Sequence, residues 1–393
     1  SFASISLAPS QDGKSATLTN NDSASAGIIN YDFIIPAEML ESLAGDQAFE
    51  DVTIYAYNGW EQIGSFDYIV DASVPSVDID GYGGTSYVAV AGSSGVHVKN
   101  YADEGWQEIA QPCETGVTDI GMDILCQDYE NIYPIVIYKE PGGTVLFKEY
   151  SDGSWYSSVQ AITAETDTSY HRLAINGNTM SVAYYSPTSG GGIVKTYEEG
   201  GWTGVGGSTF CTGSIEALAL AQGSDKPWVA YIDSDNYVVI KTLIDGSWTS
   251  VELNGAAADS SSGISLKIDD DGIVYLAYVA ASGNELKVMA YNGEWADISP
   301  VDKSGINIYG INGVVSMALG NMPCIAYSDP ATGRVTVQYF NGTWDYLGSP
   351  SFTPAIESPN QIVDLAVYAS SLTCVVYRET NGGVRVYRYL PNN

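Results

Sequence analysis

Seven tryptophans stand at nearly constant intervals along the chain, and each follows a short turn. The intervals are 46, 49, 47, 46, 47 and 49 residues, and only one of the eight tryptophans lies elsewhere. Asn-Gly or Asp-Gly comes shortly before most of them, and these dipeptides suit the tight turns that join antiparallel strands. Such regularity requires a repeated structural unit. The seven residues are Trp60, Trp106, Trp155, Trp202, Trp248, Trp295 and Trp344.

The segment from Trp228 to Trp248 is the clearest copy of this repeat. Its two apolar runs, Val229–Ile232 and Tyr237–Leu243, are rich in β-branched and aromatic residues, and a polar turn separates them. Across the chain the unit has four strands, A to D, with the regularly spaced tryptophan at or beside the start of strand D. Strand B is apolar with little alternation, which is typical of a strand buried on both faces. Short strands repeated every 40 to 50 residues or so predict the blades of a β-propeller.

The repeat also predicts the domain organisation. Six regular units cover residues 71–115, 116–165, 166–210, 211–257, 258–303 and 304–353, and a seventh begins near residue 361 and stops after strand C. Residues 51–70 supply a further C–D hairpin. We therefore expect one all-β domain over residues 1–393, with eight blades preferred and seven as the alternative. An irregular first blade and a closing strand occupy residues 1–70, regular blades occupy 71–353, and the last blade occupies 354–393.

Closure of the ring and helix content give two further expectations. A three-stranded last blade would leave an open hydrogen-bonding edge, which proteins normally cover. We expect Phe2–Leu7 to pair with Val384–Tyr389 and supply the missing strand. The only good helix candidate is Pro36–Ala44, which has proline at its first position and a glycine after its end.

Charge and hydrophobicity restrict the partners. The net charge is −32, from 47 acidic and 15 basic residues, so nucleic acids and anionic membranes are repelled at long range. No apolar run approaches the 18 or so residues of a membrane span. The chain starts at Ser1, and its first methionine is Met39. This start fits removal of a signal peptide, and we expect a monomeric protein outside the cell or on its surface.

The repeat resembles that of uncharacterised secreted bacterial β-propellers, in which a Y-V-A-Y-x-D strand is followed by V-x-x-Y-N-G-x-W. The matching segments here are WVAYID and VIKTLIDGSW in residues 228–248, CIAYSD and VTVQYFNGTW in 324–344, and WTGVGGSTF in 202–210. The resemblance covers roughly residues 71–390. It implies an extracellular propeller and assigns no catalytic residue.

Signals for catalysis and for metal binding are sparse. His97 and His171 are the only histidines, which argues against general-base or metal chemistry built on imidazole. There is no G-x-S-x-G nucleophile motif and no C-x-x-C metal spacing. Of the five cysteines, Cys113 and Cys126 are the pair that could form a disulfide. We predict no cofactor and no metal.

Four acidic residues are the candidate binding residues. Propellers usually bind ligands on the face formed by the B–C and D–A loops, and four B–C loops carry an acid at or near the end of strand B. The acids either contact a ligand or accept hydrogen bonds from their own turns. The first interpretation predicts a non-catalytic extracellular scaffold for glycans or proteins; the alternative is a carbohydrate-active hydrolase or lyase that uses these acids. They are Glu140, Asp233, Asp329 and Glu379.

Overall fold

A computed structural model of the protein divides the chain into two compact units, Ser1–Ala56 and Tyr57–Asn393, where the sequence predicts one domain. The described part contains no helix, and therefore no helical segment that could cross a membrane. The candidate helix Pro36–Ala44 lies outside it. The described residues are 5–9, 16–20, 32–33, 59–63, 76–82, 84–102, 105–113, 116–117, 119–126, 132–156, 161–198, 200–259, 263–300, 315–329, 332–354, 363–368, 372–378 and 383–389.

The first unit contains a three-stranded antiparallel sheet. Its strands are β1 (Ile5–Pro9), β2 (Ala16–Asn20) and β3 (Asp32–Phe33), and β2 lies in the middle. Leu7 of β1 is opposite Leu18 of β2.

In the second unit the described residues form seven sheets, each with a path of four antiparallel strands. Its first strand, β4 (Trp60–Gln62), belongs to the last sheet. We call the seven sheets blades one to seven in chain order. Blade one contains β5 (Ser76–Tyr82), β6 (Thr85–Gly92), β7 (Gly95–Ala102) and β8 (Gly105–Glu108); blade two contains β9 (Ile120–Cys126), β10 (Ile132–Lys139), β11 (Val145–Ser151) and β12 (Ser154–Trp155), with β13 (Ala161–Thr163) also paired to β11. Blade three contains β14 (Ser169–Asn176), β15 (Thr179–Ser186), β16 (Gly191–Glu198) and β17 (Gly201–Gly204), with β18 (Cys211–Thr212) also paired to β16.

Blades four to seven continue the same order. Blade four contains β19 (Ile215–Gln222), β20 (Pro227–Asp233), β21 (Val238–Ile244) and β22 (Ser247–Ser250); blade five contains β23 (Ile264–Ile268), β24 (Val274–Ala280), β25 (Glu285–Tyr291) and β26 (Trp295–Asp297). Blade six contains β27 (Ser316–Leu319), β28 (Pro323–Asp329), β29 (Arg334–Phe340) and β30 (Trp344–Tyr346); blade seven contains β31 (Val363–Tyr368), β32 (Leu372–Arg378), β33 (Val384–Tyr389) and β4.

The blades are arranged as a closed ring. The first strand of each blade contacts the first strand of the next, and β31 of blade seven contacts β5 of blade one. Seven apolar clusters fill the seven boundaries between neighbouring blades. In β6, Val88 and Val90 pack towards blade seven, whereas Ala89 and Ala91 pack towards blade two. Because both faces of this second strand meet a neighbouring blade, both sets of positions must be apolar.

The ring has seven blades, so the preferred count of eight is wrong. β4 pairs with one edge of β33, with Trp60 opposite Tyr389, and β32 occupies the other edge. Of the expected closing strand Phe2–Leu7, the described residues Ile5–Leu7 pair with β2 and not with β33. Residues 2–4 lie outside the described part. The expectation of eight blades assigns the strand that contains Trp60 to one blade and the three strands at the end of the chain to another. In the structure these four strands form a single blade.

The regularly spaced tryptophans tie blades together. The indole Nε1 of Trp106, in blade one, donates to the carbonyl oxygen of Ile63, just after β4 of blade seven, at 2.8 Å. Trp60 donates to the carbonyl oxygen of Leu347, just after β30 of blade six, at 2.6 Å. Two other tryptophans make the same bond to the preceding blade. Trp155 of blade two donates to the carbonyl oxygen of Ala110, and Trp344 of blade six donates to that of Ile298. Four of the seven regularly spaced tryptophans make this bond. The buried Nε1 atoms of Trp202, Trp248 and Trp295 have no hydrogen-bond partner among the described residues, and these three indoles contribute through packing at the blade boundaries.

Candidate functional site

Asp233 lies at the end of β20 and organises the B–C loop of blade four. Its Oδ1 accepts hydrogen bonds from the backbone N–H groups of Asp235 at 3.0 Å and Tyr237 at 2.8 Å. Asn236 takes a left-handed conformation with φ of 65° to complete the turn. The second oxygen, Oδ2, has no hydrogen-bond partner among the described residues, and the residue is half-buried. Asp233 therefore closes its own turn with one oxygen and leaves the other available.

Asp329 has the same place in blade six but a different environment. It is only 1% exposed. Its Oδ2 accepts hydrogen bonds of 3.0 Å from the hydroxyls of Thr332 and Ser351. Thr332 belongs to the B–C loop, and Ser351 follows strand D of the same blade. This carboxylate holds two segments together and is not presented to a ligand.

Of the other two candidate acids, Glu140 is described and Glu379 is not. Glu140 follows β10 in blade two and is half-buried; its backbone N–H donates to Thr144 and its carbonyl oxygen accepts from Gly143, which closes the turn. No hydrogen bond of its carboxylate is seen among the described residues. Glu379 lies outside them. Glu140, Asp233 and Asp329 belong to blades two, four and six, so the fold places each acid on a separate blade.

Tyr237 is a further candidate site residue, which sequence reasoning missed because it opens an apolar strand run. Its side chain is 49% exposed, and of the exposed large apolar side chains described it is the one in a B–C loop. Its backbone pairs with Ala257 in the segment between blades four and five, and Ala258 N–H donates to the carbonyl oxygen of Asn236 at 2.8 Å. An aromatic ring on a braced loop therefore stands four residues from the carboxylate of Asp233. The other exposed large apolar residues are Tyr156, Ile244 and Met322.

Carboxylates on the innermost strands form a second group. Oδ2 of Asp78 on β5 accepts from Met122 N–H of blade two at 2.7 Å, and Oδ2 of Asp364 on β31 accepts from Ile79 N–H of blade one at 3.1 Å. Burial raises the pKa of Asp78 well above its ordinary value, and the neighbouring Asp364 adds to the rise. The described residues hold no group of three or more His, Cys, Asp or Glu side chains suited to a metal ion. These carboxylates thus serve as ties between blades.

Comparison with known proteins bears on the fold. The sequence matches no protein-family model and no curated protein. The structure is similar to the BP39L lectin from Burkholderia pseudomallei, with a TM-score of 0.64 and 16% identity over 82% of this chain and 97% of that chain. The fucose-specific lectin from Aleuria aurantia gives a TM-score of 0.51 and 14% identity over 71% of this chain and 97% of that chain.

A mutant of the Aleuria aurantia lectin in complex with Fucα1-6GlcNAc gives a TM-score of 0.50 and 15% identity, again over 71% and 97% of the two chains. The likeness lies in the fold. At 14 to 16% identity the shared feature is the propeller architecture.

Proposed function

We propose that the Tyr57–Asn393 unit is an extracellular scaffold for glycans, and that the B–C loop of blade four is one binding position, at which the glycan is held without catalysis. The observation that carries the proposal is that Tyr237, whose ring is exposed, donates its backbone N–H to Oδ1 of Asp233, while Oδ2 of Asp233 is left available. The apolar C–H face of a sugar ring packs on an aromatic face. Its hydroxyls donate charge-assisted hydrogen bonds to a carboxylate.

Two further observations support a glycan over a protein ligand. The structural neighbours described above are lectins, and one is named as fucose-specific. Protein interfaces of standard size bury about 800 Å² per partner around an apolar centre. The four exposed large apolar side chains described here are separated: Tyr156 is in blade two, Met322 is in blade six, and Tyr237 and Ile244 lie at opposite ends of the third strand of blade four, which suits small ligands better than a broad interface. The resemblance to secreted propellers supports a location outside the cell.

The rival function, a hydrolase or lyase that uses the loop acids, gains no support from the described residues. Glycoside hydrolysis requires two carboxyl groups on opposite sides of one bond, about 5 to 10 Å apart. Glu140, Asp233 and Asp329 lie on three non-adjacent blades, and Asp329 is enclosed by its own hydrogen bonds.

A glycan array with the full chain tests the proposal. Wild type should retain one class of glycan, and Tyr237→Ala should weaken that binding about tenfold, which corresponds to roughly 1.4 kcal/mol. Tyr156→Ala is the matched control, because Tyr156 is also 49% exposed but follows strand D of blade two. Asp233→Asn keeps an oxygen for the turn and loses the charge, so its binding should also weaken.

The array results test the proposed glycan binding and the proposed position in blade four separately. If wild type retains no glycan, the proposed function is wrong. If glycans bind but Tyr237→Ala and Tyr156→Ala behave alike, the blade-four position is wrong and another loop must bind.

A further inference from the structure

His97 is the centre of a hydrogen-bonded chain of three side chains in blade one. Its Nε2 lies 3.1 Å from Oγ of Ser94, and its Nδ1 lies 2.7 Å from Oε1 of Glu108. The order is hydroxyl, imidazole, carboxylate, with one ring nitrogen facing each neighbour. This is the arrangement in which an imidazole can remove the proton of a serine while a carboxylate holds the ring in place.

Hydrogen-bond chemistry determines which nitrogen carries the proton. An ionised carboxylate only accepts hydrogen bonds, so in the neutral ring Nδ1 must carry the hydrogen that faces Glu108. Nε2 is then an acceptor, and Ser94 Oγ–H is the donor that points at it. The tautomer inferred from these contacts is the one that general-base catalysis by Nε2 requires.

The local fold explains why these side chains meet. Ser94 lies in the two-residue turn between β6 and β7, where Gly95 has φ of 115°. His97 is on β7, and Glu108 on β8 pairs with Lys99, two residues beyond His97 and on the same face of the sheet. The imidazole is 6% exposed, whereas Ser94 is exposed. The nucleophile is thus accessible while its base is fixed by the sheet.

The other histidine provides an internal comparison. His171 contacts Asp119 through Nδ1 at 2.8 Å and Thr168 Oγ1 through Nε2 at 3.0 Å. The order of groups is the same, but Thr168 and His171 are each only 2% exposed. The hydroxyl and the imidazole of that chain are closed off from solvent although the Asp119 side chain is 25% exposed, so a substrate does not reach the hydroxyl and the chain serves structure. The two chains of side chains therefore differ in the hydroxyl, which is exposed at Ser94 and buried at Thr168.

We propose that Ser94, His97 and Glu108 form a centre that hydrolyses carboxylic esters with small acyl groups. Ser94 Oγ attacks the ester carbonyl carbon, and its proton passes to His97 Nε2. The bond from that carbon to the alcohol oxygen breaks, and the alcohol leaves with this proton. Water then attacks the acyl-serine, gives a proton to His97, and releases the carboxylic acid as the proton returns to Ser94. Ser94 lies on an exposed turn. A small acyl group such as acetyl needs no binding pocket to reach it, and the ester must be accessible from solvent.

Gln111 is placed to assist this reaction. Its Nε2 donates to the carbonyl oxygen of Ser94 at 2.8 Å and lies 3.4 Å from His97 Nε2. A carboxamide nitrogen only donates, so its second hydrogen faces His97 Nε2 and shares that acceptor with Ser94 Oγ–H. Once Nε2 has taken the serine proton it no longer accepts, and the amide hydrogen is then released to bond to the oxyanion that forms on the ester, a contribution that lowers the barrier in acyl transfer.

The test uses the full chain, a fluorophosphonate probe that reacts with activated serines, and p-nitrophenyl acetate as the ester. The probe should label Ser94, as mapped by mass spectrometry of peptides. Ser94→Ala should abolish labelling and lower the hydrolysis rate about a hundredfold or more. Ser93→Ala, a change in the same turn, should label and hydrolyse as wild type does. Labelling elsewhere, or hydrolysis by Ser94→Ala at the wild-type rate, would overturn the proposal.

Glu108 acts through His97 and is a positioning residue, so its variants need a readout beyond loss of activity. Glu108→Gln should lower the rate while the melting temperature stays the same, and Glu108→Asp should recover part of it. Equal hydrolysis rates for Glu108→Gln and wild type would show that Glu108 does not position His97 for the reaction. The inference does not depend on the glycan position in blade four, since Tyr237→Ala should leave ester hydrolysis unchanged.

Discussion

Oδ2 of Asp123 accepts a hydrogen bond of 2.7 Å from the backbone N–H of Ile175, which lies on the innermost strand of the next blade. Asp80 makes the same kind of bond to Ile124 N–H, at 3.0 Å. Burial raises the pKa of Asp123 well above its ordinary value of 3.8, and the adjacent carboxyl of Asp80 raises it further. Asp78, Asp80 and Asp123 therefore tie inner strands together with carboxyl groups whose pKa burial has raised.

The folded protein should lose stability as pH rises from about 4 towards neutrality. A carboxyl with a raised folded pKa keeps its proton in the folded state after the unfolded state has lost it. Its contribution is fully present below the unfolded pKa and declines until pH passes the folded pKa. Asp123→Asn removes one such group, so its melting temperature should fall less steeply between pH 4 and 8. Parallel curves for the two proteins would show that Asp123 is ionised as usual.

The tryptophans allow a matched test of the bonds between blades. Trp106→Phe loses the hydrogen bond to Ile63, whereas the buried Nε1 of Trp248 has no partner among the described residues. Trp106→Phe should therefore lower the free energy of unfolding by about 1 kcal/mol more than Trp248→Phe does. Denaturant unfolding measures the difference. The interpretation is wrong if Trp248→Phe is the more damaging change.

Gly206 should resist substitution because of Trp248. A methyl group at Gly206 would overlap the indole nitrogen of Trp248, whereas at Gly207 it would meet nothing within 4 Å. Both glycines have positive φ, of 79° and 64°, so the backbone strain of alanine is common to both. Gly206→Ala should be less stable than Gly207→Ala by roughly 1 to 3 kcal/mol. Equal unfolding midpoints would mean that the indole moves aside freely.

Closure of the ring by β4 can be tested by truncation. Chains that begin at residue 57 and at residue 64 both lack the first unit, but only the second lacks β4. The shorter chain loses Trp60, its bond to Leu347, and the ion pair between Glu61 and Arg388. It should melt at a clearly lower temperature or aggregate through the open edge of β33. If both chains melt alike, β4 does not hold the ring together.

The blade unit could be predicted from the sequence because its signals are local. An apolar strand B such as Val229–Ile232 and a turn before each regularly spaced tryptophan both depend on residues close together in the chain. The blade count could not be predicted in the same way. The strand that completes blade seven is separated from β33 by more than 300 residues, and periodicity does not tell which distant strand fills an edge.

The candidate site shows the same limit at the level of side chains. Asp233 and Asp329 follow nearly identical strands in the sequence, yet one has an available oxygen and the other is enclosed by Thr332 and Ser351. The scarcity of histidine argued against imidazole chemistry, but scarcity says nothing about which groups surround the two that exist. His97 meets Glu108 because two neighbouring strands pair in one register.

By itself, the sequence determined the repeat, the all-β class, the buried strand B and the strong negative charge, since each follows from composition or from contacts within one blade. The tertiary structure alone decided the seven-bladed closure, the sealing of Asp329, the exposure of Tyr237 and the alignment of Ser94 with His97. Each of these depends on which segments pair or pack after the chain has folded. Burial and hydrogen-bond geometry are properties of that arrangement, so residue types and spacing could not reveal them.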